Sequence, residues 1–374
     1  MTEASPAAAA ALTEAARARI RADVRAMQAY VVQDAAGFLK LDAMENPFTL
    51  APDLQQRLGA RLGALALNRY PGARYADLQA ALARHAGPPA GAGLMLGNGS
   101  DELISLVALA CAQPGAVVLA PEPGFVMYAM SARLQGLPYV GVPLTADFEL
   151  DAPAMCAAIA AHRPAITFLA YPNNPTATLW DEDAMRRVIA AAGAVGGIVV
   201  VDEAYQPFAR RSWIENLRAE PAANGHVLLM RTLSKFGLAG ARLGYLIGPA
   251  PLVAEIDKVR PPYNISSLNC EAALFALEHE AVFAAQAALL RAERERLVAA
   301  LGALPGVARV WDSQANMVLI RVADAPRTFA GMRQRKVLVK NVSTMHPLLA
   351  HCLRLTVGSS QDNATMVHAL QASL

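Results

Sequence analysis

The sequence predicts an α/β protein with a mainly parallel sheet covered by helices on both faces, followed by a smaller α+β domain. Three observations lead to this prediction. Short β-branched or apolar runs alternate with longer helical patterns through the middle of the chain. The last third has a different rhythm, in which a long helical stretch precedes further strand and helix patterns. With 374 residues, 55% hydrophobic and 17% charged, the chain can bury a substantial core.

The strands of the first domain are predicted where apolar or β-branched residues cluster between helical patterns. These runs cover residues 116–120, 139–144, 165–170, 197–204, 226–233 and 242–248. Residues 181–195 show one of the helical patterns that separate them. Because helices commonly connect parallel strands, this alternation favours a mainly parallel sheet.

The last third of the chain predicts a second domain. Residues 271–301 are rich in alanine, leucine, glutamate and arginine, which predicts one or two long helices. A strand at 316–322, a helix near 326–334 and a strand at 353–358 follow. The boundary is predicted near PPYNISS, residues 261–267, because consecutive prolines interrupt regular structure. We therefore expect an N-terminal arm over 1–44, a large domain over 45–262 and a small domain over 263–374.

The charge balance argues against a nucleic-acid partner. Lysine and arginine number 33, and aspartate and glutamate 31, so the net charge is only +2 and no block of like charge occurs. The four cysteines are widely spaced, which indicates reduced and mostly buried thiols and suits the cytoplasm. The seven histidines do not group at the spacing of metal ligands, so we expect no metal site.

The alanine-rich start of the chain is predicted to form an exposed helix rather than a signal peptide. It lacks a basic leading region, and Glu14 and Arg17 interrupt the apolar stretch. No apolar run approaches the roughly 20 residues that a membrane-spanning helix needs. We therefore expect a soluble protein that does not associate with a membrane.

Polar clusters follow three of the predicted strands, at 171–176, 202–205 and 231–235. Since ligands of such sheets bind beyond the carboxyl ends of the strands, these clusters predict a site there. Each cluster alone has a simpler explanation: Asp202 resembles a helix cap, and Lys235 a solvated lysine. The glycine-rich turn at 97–104 enters a helix whose amides can hold an anion, although Ser100 and Asp101 could also merely cap it.

The combination of these features matches the needs of pyridoxal 5′-phosphate (PLP). This cofactor requires a lysine for imine formation, an aspartate near a protonated ring nitrogen and an anion site for its phosphate. The segments NPT at 174–176, DEAY at 202–205 and TLSK at 232–235, followed by Arg242, resemble the signature of the fold-type I PLP-dependent transferases of the class I and II aminotransferase family. The resemblance extends from residue 41 to residue 359. It implies a mostly parallel seven-stranded sheet in the large domain.

The resemblance also assigns roles around the cofactor ring. Lys235 would hold PLP as a Schiff base and then move the proton at the substrate carbon. Asp202 would keep the pyridine nitrogen protonated, and Tyr205 and Asn174 would bond the ring hydroxyl. Phe125 would stack on the ring face.

The resemblance places the cofactor phosphate among charged and dipolar groups. The groups implied are Arg242, Thr232, Ser234 and the amides of Ser100 and Asp101. Tyr70 would reach the phosphate in a neighbouring subunit, which implies a homodimer with shared sites. The N-terminal arm would contribute to the small domain and to the dimer.

On the substrate side, Arg354 matches the arginine that grips the substrate's anionic group, and its planar fork suits a carboxylate or a phosphate. Lys340 stands where relatives more often carry arginine. Tyr30 and Asn46 are further substrate-side candidates.

Three further departures bear on this interpretation. Ala177 stands where glycine is usual, so the turn there is expected to differ. Lys235 and Arg242 are seven positions apart (242 − 235), one fewer than in many relatives, which affects the phosphate geometry. Phe125 replaces a common tyrosine and retains stacking without a hydroxyl.

Within the family, ENP at 45–47, NRYPG at 68–72, GNGSDE at 97–102 and CLRLTVG at 352–358 most resemble histidinol-phosphate aminotransferases. This implies a transfer between L-histidinol phosphate and 2-oxoglutarate, giving imidazole acetol phosphate and glutamate, in histidine biosynthesis. Three alternatives remain open. They are an aminotransferase for aromatic or other amino acids, a PLP-dependent lyase or decarboxylase such as one for threonine phosphate, and a cofactor-binding regulator without turnover.

Overall fold

The computed structural model describes residues 6–29 and 33–374. The chain divides into a compact unit that ends at Ala36 and a second one over Gly37–Leu374. In the first unit, helix α1 spans Pro6–Arg17 and helix α2 spans Ala22–Arg25. The described side chains of α1 are exposed, and Arg17 pairs with Glu14 at 2.8 Å. The predicted exposed N-terminal helix is therefore present.

The second unit alternates strands and helices. Its helices are α3 Pro52–Gly63, α4 Arg74–Ala86, α5 Ser100–Ala110, α6 Met127–Leu134, α7 Ala152–His162, α8 Glu182–Ala194, α9 Ile214–Ala219, α10 Ala250–Asp257, α11 Ser267–Glu278, α12 Glu280–Gly302, α13 Ala325–Gln334 and α14 Ser360–Gln371. Its strands are β1 Leu39–Lys40, β2 Ala92–Gly97, β3 Val118–Glu122, β4 Tyr139–Pro143, β5 Ile166–Ala170, β6 Ile198–Asp202, β7 Val227–Thr232, β8 Gly244–Pro249, β9 Val307–Val310, β10 Met317–Val322, β11 Val337–Leu338, β12 Lys340–Asn341 and β13 Cys352–Thr356. Short helical turns cover Gln206–Phe208, Ser234–Leu238, Ala239–Ala241 and Pro347–Leu349.

Each strand predicted from the sequence is present within a few residues of its expected bounds. Strand β2 was not predicted, because its segment AGLMLG begins and ends near glycines and resembles a turn. The short strands β1, β9, β11 and β12 were not predicted either. Two of them carry a lysine, Lys40 on β1 and Lys340 on β12.

Seven strands form the main sheet in the order β2-β8-β7-β6-β5-β3-β4. The neighbours from β7 to β4 run parallel, whereas β8 runs antiparallel to both β7 and β2. The predicted mostly parallel, seven-stranded α/β sheet is therefore confirmed.

The central strands explain why this sheet forms. Every residue of β5 and β7 is buried, and only Ile198 of β6 is partly exposed, as expected for strands covered by helices on both faces. Apolar residues of the two faces pack into two separate core clusters. Helix α8 illustrates a covering element, since Asp181 accepts a hydrogen bond from the Ala184 amide and fixes its start.

The last third of the chain builds an antiparallel sheet in the order β12-β13-β10-β9 and a third core cluster around it. A parallel pair of β1 with β11 joins residues 39–40 to this region. The domain bounds at residues 44 and 262 stay a prediction. Among the described residues, no single helix has the length and apolarity to cross a membrane, and only the bent pair α11 and α12, at 76°, meets those criteria jointly.

Candidate active site

A cavity of about 350 Å³ lies at the carboxyl ends of β5, β6 and β7. It is lined by residues from the three polar clusters predicted from the sequence, and by the start of α5. The lining residues are Ala43, Met44, Glu45, Ser100, Asp101, Phe125, Tyr128, Ala170, Pro172, Asn174, Asp202, Ala204, Tyr205, Thr232, Ser234, Lys235, Ala239, Gly240 and Arg242. The structure therefore brings together nearly all the residues expected around a cofactor.

Asp202 ends β6 with its carboxylate buried below the cavity. One oxygen, Oδ1, accepts from the Ala204 amide at 3.0 Å, and the other, Oδ2, accepts from the Tyr128 hydroxyl at 2.7 Å. Burial raises the pKa of Asp202 to about 6, whereas the bond from Tyr128 acts in the opposite direction. A buried carboxylate of this kind favours a cationic partner such as a protonated ring nitrogen.

Tyr128 is a site residue that the sequence analysis missed. It lies in the first turn of α6, and its ring stacks on Phe168 with centroids 4.5 Å apart. It also meets the ring of Phe125 edge to face at 5.7 Å. The signal was available, since Tyr128 follows Phe125 by three positions, which is close to one helical turn.

Lys235 lies in the irregular turn that follows β7, where its amine donates to the Ala43 carbonyl at 2.9 Å. Burial lowers the pKa of Lys235 to about 8, and the nearby charge of Arg354 lowers it further, whereas Glu45 opposes the shift. A lysine with a lowered pKa is partly neutral near pH 8 and can act as a nucleophile and a base.

Cationic and dipolar groups gather at the end of the cavity formed by α5. Arg242 lies 3.4 Å from the Asp101 carboxylate, and α5 begins at Ser100 with its first amides unpaired within the helix. Gly99 has a φ of +84°, and a Cβ there would lie 2.8 Å from the Arg242 guanidinium. Gly244 is as tightly placed, since its Cβ would lie 2.9 Å from the Ser100 amide nitrogen. These glycines form a cradle suited to an anion such as a phosphate.

Two hydroxyls complete this end of the cavity. Thr232 donates to the Leu243 carbonyl at 3.0 Å and contacts the Ser234 hydroxyl at 2.9 Å, while the Ser234 amide donates back to Thr232. Both hydroxyls line the cavity. Lys235 and Arg242 also line this cavity, although they are one position closer in sequence than in many relatives.

Asn174 connects the cavity to the predicted substrate arginine. The Arg354 guanidinium donates to Asn174 Oδ1 and to the Asp42 carbonyl, each at 2.7 Å. Tyr205 is also buried. Burial raises the pKa of Tyr205, and the nearby charge of Arg354 acts against that shift. A guanidinium fixed in this way can present its fork to a carboxylate or a phosphate.

The other substrate-side candidates occupy different places. Lys340 of β12 pairs across the strands with Arg354 of β13, and neither residue is among those that line the cavity. Asn46 bonds Gln286 at 2.9 Å and would lie 3.0 Å from a Cβ at Gly237, next to the turn that carries Lys235. Tyr30 lies outside the described residues.

Tyr70 is not in the cavity of its own chain. It is 75% exposed, and its ring stacks on Tyr263 with centroids 4.3 Å apart.

The departure at Ala177 has a clear backbone consequence, because this buried alanine has a φ of +61°, in the left-handed region that favours glycine. The turn keeps the left-handed conformation that a glycine would adopt.

A buried ion pair supports the strand ends from below. Arg231 donates to Glu203 at 2.9 Å and to the Ser212 hydroxyl at 2.8 Å, and both charged side chains are almost fully buried. Burial raises the pKa of Glu203, while Arg231 acts against that shift. Because Glu203 follows Asp202 directly, the pair holds β6 and β7 in register where they enter the site.

The residues of the cavity fit pyridoxal 5′-phosphate. The amine of Lys235 suits its aldehyde, the buried carboxylate of Asp202 suits its ring nitrogen, and the cradle around Gly99 and Arg242 suits its phosphate. Phe125 also lines the cavity, and its aromatic side chain suits contact with a planar ring.

Comparison with known proteins agrees with this geometry. The pattern of the aminotransferase class I and II family matches residues 36–372. Histidinol-phosphate aminotransferase from Acidovorax sp. (strain JS42) is 77% identical over 359 residues, which cover 96% of this chain and 98% of that protein. The enzyme of the same name from Paracidovorax citrulli (strain AAC00-1) is 75% identical over 364 residues, with 96% and 98% covered.

Solved structures show the same fold. The histidinol-phosphate aminotransferase from Clostridium acetobutylicum has a TM-score of 0.80 at 20% identity, covering 89% of this chain and 98% of that one. The one from Sinorhizobium meliloti, in complex with pyridoxal-5′-phosphate, has a TM-score of 0.76 at 24% identity, covering 94% and 96%. The family pattern, the relatives and the arrangement of the cavity agree, and the chain belongs to the class I and II aminotransferases.

Proposed function

We propose that this protein transfers the amino group between L-histidinol phosphate and 2-oxoglutarate, giving imidazole acetol phosphate and glutamate, and catalyses the reverse reaction. The observation that carries the proposal is the identity of 75–77% to relatives named histidinol-phosphate aminotransferase, over 96% of the chain. Histidine biosynthesis in the cytoplasm would be the setting. The absence of a block of like charge in the sequence supports small molecules as the partners.

The chemistry divides between the cofactor and the chain. Pyridoxal phosphate, when bound, accepts the electrons released at the substrate carbon and carries the amino group between the two half-reactions. Lys235 holds the cofactor and moves the proton at the substrate carbon, for which a pKa of about 8 is well placed near neutral pH. Asp202 holds the proton on the ring nitrogen, because a buried carboxylate stabilises a nearby cation.

Further residues position the cofactor. Tyr205 and Asn174 bond the ring hydroxyl, and Phe125 packs on the ring face. The amides of Ser100 and Asp101 hold the phosphate together with the side chains of Thr232, Ser234 and Arg242. The support for this arrangement is that all eight residues line one cavity.

Arg354 binds the anionic group of each substrate in turn. Glutamate presents a carboxylate, whereas histidinol phosphate presents a phosphate, and a guanidinium fork accepts both. Lys340, its cross-strand neighbour, adds a second positive charge that suits the phosphate dianion. Asn46 and Tyr30 remain proposed substrate-side residues.

The protein acts as a homodimer in this proposal. Tyr70 is a large, exposed aromatic residue that lies outside its own chain's cavity, which suits a role in the phosphate site of a second subunit. The adjacent Tyr263 is 58% exposed and stacks on it, so the two rings form an aromatic surface that a partner subunit can cover.

A substrate panel tests the proposal. The cofactor-loaded protein is mixed with histidinol phosphate, histidinol, phenylalanine or threonine phosphate, each with 2-oxoglutarate, and glutamate is measured. We expect the highest kcat/KM for histidinol phosphate, and glutamate formed in equal amount to the ketone product. A lyase would consume threonine phosphate without forming glutamate, and a regulator would form no glutamate at all.

Lys235→Ala provides the control. This variant should lose transamination and the visible absorbance of the lysine-bound cofactor. If phenylalanine matched or exceeded histidinol phosphate, the biosynthetic assignment would be wrong and only the aminotransferase would remain. If the Lys235→Ala protein kept a linkage to PLP that borohydride reduces, the role of Lys235 would be wrong.

A further inference from the structure

The cavity wall carries a carboxylate that the cofactor does not need. Glu45 lines the cavity, and its side chain is 46% exposed, at the mouth rather than the base. It forms an ion pair with Lys40 of β1. Lys40 donates to one oxygen of the carboxylate, Oε2, so the other oxygen, Oε1, can accept a hydrogen bond from a bound molecule.

The other polar groups of the wall already have partners or roles. Those around the ring and the phosphate suit the cofactor, and the Tyr128 hydroxyl is bonded to Asp202. Asp101 pairs with Arg242 at 3.4 Å. Among the described residues that line the cavity, Glu45 is therefore the ionisable group that remains for the substrate.

The backbone fixes where Glu45 lies. Met44, the preceding residue, has a φ of +53°, its amide donates to the Thr356 hydroxyl at 3.1 Å, and its carbonyl accepts from Asn316 at 3.0 Å. The Ala43 carbonyl accepts from the Lys235 amine at 2.9 Å. Glu45 thus lies two residues from the carbonyl that contacts the reacting amine, and its charge acts to raise the pKa of Lys235.

The chemistry of the proposed substrate supplies a donor for the Glu45 oxygen to which Lys40 does not donate. Its imidazole carries a ring N–H, and an imidazole gains a full positive charge as the pH falls through about 6.5. A carboxylate accepts a hydrogen bond from either form, whereas a phenyl ring offers no donor. Building on the proposed function, we propose that Glu45 is a specificity-determining residue that accepts a hydrogen bond from the ring N–H of an imidazole-bearing substrate.

The ion pair offers a matched control. If Glu45 only anchored the Asp42–Glu45 segment through Lys40, removing either partner would have the same effect. If Glu45 recognises the substrate ring, only its own removal changes the choice between rings. Lys40 is half-buried in β1 and does not line the cavity, so its substitution leaves the wall in place.

The experiment compares two substrates that share the amine and the phosphate. They are histidinol phosphate and 2-amino-3-phenylpropyl phosphate, measured with the unmodified enzyme, Glu45→Leu, Glu45→Gln and Lys40→Met. Glu45→Leu should lower the ratio of kcat/KM for imidazole over phenyl by about 10- to 100-fold, the usual effect of a bond to a charged group. The loss should lie mainly in KM. Glu45→Gln, which keeps an acceptor, should fall between, and Lys40→Met should keep the ratio within about threefold.

Two results would overturn the inference while the proposed function stands. The first is an unchanged ratio in Glu45→Leu on an enzyme that converts histidinol phosphate well. The second is an equal fall of the ratio in Lys40→Met, which would show a structural ion pair. If the unmodified enzyme did not convert histidinol phosphate, the proposed function would fail, and this inference with it.

Discussion

The Tyr128 hydroxyl donates to Asp202 Oδ2 at 2.7 Å, and both residues are buried and line the cavity. The bond holds the carboxylate in one orientation and favours its ionised form, against the effect of burial. The two residues lie on different elements, α6 and β6, so the state of Asp202 depends on how the helix packs on the sheet.

Tyr128→Phe should raise the pKa of Asp202 above its value of about 6, because the variant loses the bond that stabilises the carboxylate. A bond to a charged group corresponds to about one pH unit or more. In titrations of cofactor-free protein with PLP, the acid-side loss of affinity should move upward by that amount. Tyr171→Phe is the control, since that buried ring packs on Trp213 instead. Coincident pH curves for both variants would contradict the role of Tyr128.

Asp202→Asn should stabilise the cofactor-free protein while removing activity. The pKa of Asp202 in the folded state, about 6, lies above its usual 3.8, so its ionisation costs stability at pH above 6 and nothing below about 4. The difference of about two units corresponds to about 2–3 kcal/mol. Melting temperatures at pH 7.5 should therefore be higher for the variant, and the gap should shrink toward pH 4. Turnover should fall by several orders of magnitude with only moderate loss of PLP affinity.

Gly99→Ala should weaken cofactor binding by displacing Arg242, whose guanidinium would lie 2.8 Å from the new Cβ. We expect a fall of about 10- to 100-fold in PLP affinity, measured by fluorescence titration. Gly91→Ala is a close control, because its φ of +77° imposes similar backbone strain while no atom lies within 4 Å of its Cβ. Equal losses of PLP affinity in the two variants would point to strain rather than to Arg242.

Arg354→Lys should harm both half-reactions, since a single ammonium cannot reproduce the guanidinium fork or its bonds to Asn174 and Asp42. We expect a fall of about 100-fold or more in kcat/KM for glutamate and for histidinol phosphate.

Lys340→Ala should lower kcat/KM for histidinol phosphate more than for glutamate, because the phosphate carries the larger charge. Stopped-flow measurements give the rate of each half-reaction separately. Equal effects of Lys340→Ala on both half-reactions would contradict a role of Lys340 in binding the phosphate.

Tyr70→Phe and Lys235→Ala should complement each other if subunits share sites. Mixed dimers would hold one site that lacks both groups and one intact site, so activity should rise above both parents after subunit exchange. Sedimentation establishes whether the protein is dimeric in the assay. A fully active monomer, or mixing without any rescue, would contradict a shared site.

The main sheet and the residues at its carboxyl edge could both be predicted from the sequence, because the strands and their polar ends follow the same local pattern. Strands such as β6 and β7 are short, apolar and bounded by helices, so their polar ends, including Asp202 and Lys235, could be assigned to one edge. The family resemblance then added roles for residues that packing alone does not explain, such as Arg354.

The remaining features depend on register and on distant contacts. Tyr128 follows Phe125 on a helix, but its bond to Asp202 joins residues 74 apart. The pairing of Lys340 with Arg354 rests on β12, a strand of two residues that carries no periodic signal. The role proposed for Glu45 depends on the left-handed backbone at Met44, whose hydrogen-bond partners lie far along the chain. Local patterns do not encode such contacts.

Strand β8 runs antiparallel to β7, and this pairing has a consequence for the size of the ligand that the protein accepts. Thr232 of β7 pairs with Gly244 of β8, so Lys235 and Arg242 both lie on the single loop that joins these two strands. In the proposed arrangement, Lys235 would hold the aldehyde end of the cofactor and Arg242 its phosphate end, so the number of residues between them would set the distance between the two anchors. An insertion in residues 236–241 would change which cofactor length fits, whatever its composition. Redesign of substrate choice should therefore preserve the length of this loop.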